Sequence, residues 1–281
     1  MATTTSPPAA KKTFSLLPTS TLGKKYLVAI TGIGLSLFTF FHMAGNMQVF
    51  LGPAVLNHYA HFLKSNPEIL WGGRIGLLVF FVAHLGMAIN LRMSNQSARP
   101  VGYVYQQKTI NSTMASRTMI ITGLAILLFL LYHLAHFTLG WTNPNDFNLK
   151  VSATKALDKP NEYYHLDIPD SAKGTERDEM ILHKLEEKWG PVGSQDVYSM
   201  VVHGFRQPLI TLCYVLAMVF LGLHMSHGVA SSFQTLGANR PRWHTCIKQF
   251  GLGFTVVVIG GNILIAVLTL VRLSPVPPQP M

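Results

Sequence analysis

Five stretches of this chain are long and apolar enough to cross a lipid bilayer, and no other feature limits its fold as sharply. A spanning helix needs about 20 mainly apolar residues. Residues 25–50, 71–91, 117–140, 203–230 and 248–272 meet that requirement. Inside hydrocarbon the backbone can satisfy its own hydrogen bonds only as a helix or a closed barrel, and these runs lack the alternation of barrel strands. The expected fold is an all-α integral membrane protein with five transmembrane helices. The chain is 49% hydrophobic and only 12% charged, too apolar and charge-poor for an ordinary soluble domain. No internal repeat is apparent.

The charges give the topology. The net charge of +10 does not indicate nucleic-acid binding, because the basic residues flank the apolar runs instead of forming one patch. Lys11, Lys12, Lys24 and Lys25 precede the first run. Arg92, Arg99, Lys108 and Arg117 lie between the second and third, and Arg240, Arg242 and Lys248 between the fourth and fifth. Eleven of the 12 acids fall in 142–202, and the other is Glu68. By the positive-inside rule the N-terminus is cytoplasmic and the C-terminus outside. The expected organisation is a polar, disordered cytoplasmic tail over 1–20, a membrane domain over 21–272 with an outer insertion at 142–202, and a short tail at 273–281. The insertion contains "TERDEMILHKLEEKWG", which has helical periodicity.

Several chemistries are excluded. Two cysteines, Cys213 and Cys246, cannot supply the four thiolates of an iron–sulfur cluster. There is no C-x-x-C-H for covalent haem attachment, and no Walker A loop or G-x-G-x-x-G after a strand.

The histidines carry the functional signal. His42 lies in the first run, His84 in the second, His133 and His136 in the third, and His203, His224 and His227 in the fourth. A polar side chain inside a membrane is costly and marks a functional site by default. Their depths form a pattern. His42 lies 17 residues beyond Lys25, roughly 25 Å along a helix rising from the inside. His133 lies 16 residues beyond Arg117, roughly 24 Å up its own helix. His84 is about 20 Å down the second, descending helix, and His224 is near the inner end of the fourth. Two imidazoles thus stand at an outer level and two at an inner one. His suits both axial positions of an electron-transfer haem b, and a four-helix bundle can supply such ligands from facing helices. Gly45, Gly86 and Gly228 are small residues near these positions. His136 and His227 each follow the preferred ligand by three residues, on one helix face, and each is an alternative ligand.

The motifs "FHMAGN", "GRIGLLVFFVAHLGMAINLR", "FLLYHLAHF" and "GLHMSHGVASSFQTLG", in this order, resemble the five-helix di-haem cytochrome b anchors of succinate dehydrogenases and fumarate reductases. The resemblance spans residues 20–272. It implies that His42 and His133 bind a distal haem b, and that His84 and His224 bind a proximal one. It implies a flavoprotein subunit and an iron–sulfur subunit docked on the cytoplasmic face of a bacterial inner membrane. It also implies a quinone, in this case menaquinone, as the membrane-borne substrate. Glu68, near the start of the second span, stands where a relative of this type uses a glutamate to exchange quinone protons; the competing reading is an exposed loop acid. Arg74 either pairs with a haem propionate or snorkels. His58 and His61, in "NHYAHF", are expected to be interfacial. Two other readings fit the residues less well. One is the di-haem cytochrome b of another quinone-linked complex. The other is a proton-coupled transporter with a histidine relay, which the absence of Asp and Glu in the spans disfavours.

Overall fold

The computed structural model describes residues 20–98, 113–238 and 240–271. Most of the expected N-terminal tail, the whole C-terminal tail, and Arg99 and Lys108 lie outside these residues. Twelve α-helices form, and no strand is present among the described residues; one isolated bridge joins Lys150 and Gln195.

Five helices are long and apolar enough to cross a membrane: Thr21–Leu51, Pro67–Ser97, Met119–Thr138, Pro208–Thr235 and Pro241–Leu270. The first is α1 (Thr21–Asn46), extended by a 3₁₀ turn over Met47–Leu51. Gly52, at φ 101°, then breaks the chain into the short α2 (Pro53–Ser65), a backbone angle that favours glycine. Next come α3 (Pro67–Ser97), the single turn α4 (Met114–Arg117) and α5 (Met119–His133). The last long helices are α11 (Pro208–Thr235) and α12 (Pro241–Leu270). Proline opens α2, α3, α11 and α12, where its missing N–H costs nothing. Ser20 caps α1 by accepting from the Gly23 amide at 2.9 Å.

The fourth span differs from the expectation. It begins at Pro208, so His203 belongs to the preceding helix, α10 (Val197–Arg206). The cause is local: Pro208 forces its predecessor out of the helical region, and Gln207 is extended at φ −84°, ψ 112°.

Helix α11 packs against α1, α5 and α12, and α3 packs against α1. No residue of α3 is buried; Ile75, Leu78, Val79 and Val82 are exposed. Such surfaces are compatible with lipid and not with water. The Lys24 ammonium donates to Asn90 Oδ1 at 2.7 Å, so α1 starts where α3 ends.

The insertion at 142–202 is a folded cap. Its helices are α6 (Pro144–Phe147), α7 (Ala153–Asp158), α8 (Pro160–Tyr163), α9 (Gly174–Trp189) and α10; α9 coincides with the expected helical segment. Val151, Ala156, Ile181, Leu185, Tyr198 and Val202 are fully buried. They belong to one apolar cluster that runs into Met43 of α1, Leu56 of α2, Tyr214 of α11 and Ile265 of α12.

One polar knot fixes the cap to α2. The buried Asn57 amide donates to Trp189 O at 2.8 Å and to Asp196 Oδ1 at 3.0 Å, and its oxygen accepts from the Tyr198 amide at 3.0 Å. Asp196 in turn accepts from the Ser199 amide at 3.0 Å and hydroxyl at 2.6 Å. Asn57→Ala strands several buried groups and is expected to destabilise the cap by about 3 kcal/mol. Faster proteolysis of 142–202 in membranes, with the spans still protected, is the expected readout; an unchanged digestion rate contradicts this assignment.

Candidate functional site

The structure brings four of the sequence-selected histidines into two pairs. Near the cap, His42 of α1 meets His133 of α5 with ring centroids 5.9 Å apart and planes at 90°. Deeper in the bundle, His84 of α3 meets His224 of α11 at 6.4 Å and 61°. Along α1, His42 is 11 residues from Thr31, which touches His84. The two levels are thus separated by about 16 Å at 1.5 Å per residue.

At the deeper level the hydrogen bonds assign the tautomer. Thr31 gives its hydroxyl proton to Leu27 O at 2.6 Å. Its oxygen can then only accept from His84 Nδ1, at 3.2 Å. The Val28 carbonyl, also 3.2 Å from Nδ1, is an acceptor as well, so Nδ1 carries the proton. Thr122 does the same on α5: its hydroxyl lies 3.1 Å from Thr118 O and its oxygen 3.2 Å from His224 Nδ1, with the Met119 carbonyl as second acceptor. Both imidazoles therefore present an unprotonated Nε2, the nitrogen a metal would take. Gly32 and Gly123 lie beside the rings: a Cβ on them would come within 3.2 Å of His84 Cε1 and 3.5 Å of His224 Cε1.

Thr31 and Thr122 were missed in the sequence, although a signal is there. Segments 30–44 and 121–135 share Ile-Thr-Gly at the start, Leu-Phe at 37–38 and 128–129, and His-x-Ala at 42–44 and 133–135. The chain does contain an internal repeat, with an offset of 91 residues, and the structure uses it twice. Val28 and Met119, also 91 apart, accept from the two deeper histidines. Phe38 stacks on His42 at 5.3 Å, and Phe129 approaches His133 at 5.8 Å.

The upper level is built differently. His42 is exposed. His133 Nδ1 lies 3.2 Å from the Tyr214 hydroxyl of α11, and His136 Nδ1 lies 3.1 Å from the same oxygen. After His133 the helix widens into a π turn, Leu134–Thr138, a distortion frequent at functional sites. Across this turn His136 still reaches the Tyr214 oxygen that His133 reaches. Its ring is buried against α10, where a Cβ on Gly204 would lie 3.3 Å from His136 Nε2.

An imidazole nitrogen bonds a transition metal at about 2 Å, and the ring centroid lies about 1 Å further back, so two rings on opposite sides of one metal have centroids roughly 6 Å apart. Both pairs match that separation, and each ring can turn about its own metal–nitrogen axis, so neither interplanar angle is an obstacle. By spacing, each pair fits two imidazoles on one metal ion.

The other singled-out residues stand apart. Glu68 is exposed in the first turn of α3 and makes no hydrogen bond or ion pair among the described residues. An acid at a helix N-terminus is favoured by the helix dipole. The Arg74 guanidinium lies over the Trp71 ring at 5.1 Å. His58 and His61 are exposed on α2. His203 bonds Asp146 at 3.1 Å within the cap. His227 is half-buried, and the ring that meets His84 is that of His224. Gly45 packs on Tyr59 of α2, whereas a Cβ added at Gly86 or Gly228 would meet nothing within 4 Å among the described residues beyond its own helix backbone. Cys213 and Cys246 are exposed and free.

No family model matches this chain, and no curated protein or solved structure is significantly similar to it.

Gly204 is where α10 rests on His136 and Phe137, each 3.2 Å from a Cβ placed there. Gly204→Val is expected to lift α10 at a cost of about 1–3 kcal/mol. Faster hydrogen exchange over 197–206 would register the change, and unaltered exchange there would refute the contact.

Proposed function

We propose that this chain is the di-haem cytochrome b anchor of a succinate:quinone or fumarate:quinol oxidoreductase. The observation that carries the proposal is the pair of imidazole couples, about 16 Å apart along the bundle, each at the separation one metal requires. His42 and His133 hold the distal haem b, and His84 and His224 the proximal one. When bound, haem b supplies a one-electron iron couple.

The chain's own contribution is placement. Thr31 and Thr122 hold the proximal imidazoles in the Nδ1–H tautomer, which raises ligand basicity and fixes ring orientation. Helices α1, α3, α5 and α11 carry the four imidazoles and fix where each pair meets.

The basic ends of α1, α3 and α12 then face the cytoplasm, where the iron–sulfur and flavoprotein subunits dock, and the acid-rich cap lies outside. The membrane is a bacterial inner membrane and the quinone is menaquinone, with Glu68 exchanging its protons near the cap. Haems held by His84 with His224 and by His42 with His133 would supply a one-electron path between the docked subunits and quinone, usable in either direction.

The test is a pyridine haemochrome assay with redox-titrated spectra on the purified complex. Two haems b per chain are expected. His42→Ala and His133→Ala should lose the same haem, and His84→Ala and His224→Ala the other. An intact, haem-free complex would move the assignment to a histidine-lined transporter. Thr31→Val and Thr122→Val are expected to weaken the proximal haem alone, by about 10–100-fold in affinity, read as its occupancy on dilution.

Quinone exchange at the cap side also has an energetic consequence. Protons are exchanged outside while dicarboxylate protons are exchanged inside, so turnover works with or against about 2.3 kcal/mol per charge per 100 mV. Turnover in sealed vesicles is expected to change on adding an uncoupler; indifference rules out this coupling.

A further inference from the structure

We infer that Tyr214 is a positioning residue for the distal level: its hydroxyl, shared between His133 and His136, commits His133 to the metal and withdraws His136 from it. The inference rests on the reading of the site as a di-haem centre.

The chemistry is one of proton counting. Tyr214 has a single hydroxyl proton, yet two imidazole Nδ1 atoms lie within 3.2 Å of its oxygen. It can donate to one and must accept from the other, so the two histidines are in different tautomers. The surroundings decide which is which. His136 is 3% exposed, with its Nε2 against the Gly204 backbone of α10, where an iron and its macrocycle have no room. His133 faces His42 across the bundle. A metal ligand needs a lone pair on the nitrogen it presents and a proton on the other. His133 therefore donates Nδ1–H to the phenol oxygen, and the phenol donates its proton to His136 Nδ1.

The hydroxyl is held firmly enough to enforce this. The Tyr214 ring is buried and meets Phe129 and Phe205 edge-on at 5.0 Å each. Phe137 closes a third side at 5.8 Å. The repeat underlines the difference between levels. At the deeper level each ligand is backed by a threonine on the neighbouring span, one from each copy of Ile-Thr-Gly. At the upper level the partner of His133 comes from α11 and is a phenol. The distal ligand thus has an aromatic hydroxyl as acceptor where the proximal ligands have hydroxyl and carbonyl oxygens.

The test uses the whole complex in its membrane or in detergent, with Tyr214→Phe, which keeps the aromatic packing and deletes only the hydroxyl. Both haems are expected to remain. The low-field EPR signal and the midpoint potential of the haem lost in His42→Ala should shift, and those of the other haem should not. A role in packing alone would leave both spectra unchanged, so an unshifted distal haem in Tyr214→Phe overturns the inference. Retention of the distal haem in His133→Ala together with its loss in His136→Ala overturns it too, since His136 would then be the ligand. If Tyr214→Phe does not assemble, His136→Gln takes its place, because it alters only the acceptor of the phenol proton. A distal signal unchanged in His136→Gln again overturns the inference. A wild-type complex without haem defeats the di-haem reading itself, an outcome separate from all of these.

Discussion

A polar atom in hydrocarbon must be matched by another polar atom of the same protein, and the interior of this chain is organised by that requirement. The buried hydroxyls of Thr31, Thr122, Ser232 and Thr255 bond back to their own helix, while Thr269 Oγ1 in α12 is without a hydrogen-bond partner among the described residues. The imidazoles then draw on what those bonds leave over. A threonine that has given its proton to a carbonyl is a pure acceptor, and an acceptor fixes a histidine tautomer. At the deeper level the protonation pattern is therefore an outcome of helix hydrogen bonding, set before any ligand is considered.

The helices and their histidines were legible in the sequence because both follow from one-dimensional rules. Apolar length located five spans with ends off by up to seven residues, and helical rise alone put His42 level with His133 and His84 level with His224. What was not legible depends on local backbone choices or on distant partners. The break at Pro208, which transfers His203 from a span to the cap, hinges on one residue's φ and ψ. The π turn that follows His133 leaves no mark in the apolar pattern. Tyr214 lies 78 residues from His136, and nothing near either residue announces the bond. Thr31 and Thr122 are a different kind of omission: the Ile-Thr-Gly repeat was present in the sequence, but its meaning depends on which histidines it faces.

The cap illustrates how a connection between spans can become the best-packed part of a membrane protein. Helices in lipid gain little from burying apolar surface against one another, since lipid is equally apolar. Water-exposed segments do gain, at about 25 cal/mol per Å². Accordingly the fully buried Ile181, Leu185, Tyr198 and Val202 all belong to the cap, whereas α3 buries nothing. The same cluster reaches Met43, Tyr214 and Ile265, so the hydrophobic effect acting outside the bilayer clamps the ends of α1, α11 and α12. The upper histidine pair lies directly beneath that clamp.

The internal repeat relates α1 to α5 alone, but the bundle can be divided into two helix pairs in contact, α1 with α3 and α5 with α11, each bringing one histidine to either level. A centre assembled in this way has no covalent need for the segment between α3 and α4, because both imidazole pairs form across the modules. Two shorter chains, each carrying one module and meeting in the membrane, would build the same four-histidine centre, and each could diverge at its own surface without disturbing the other's ligands.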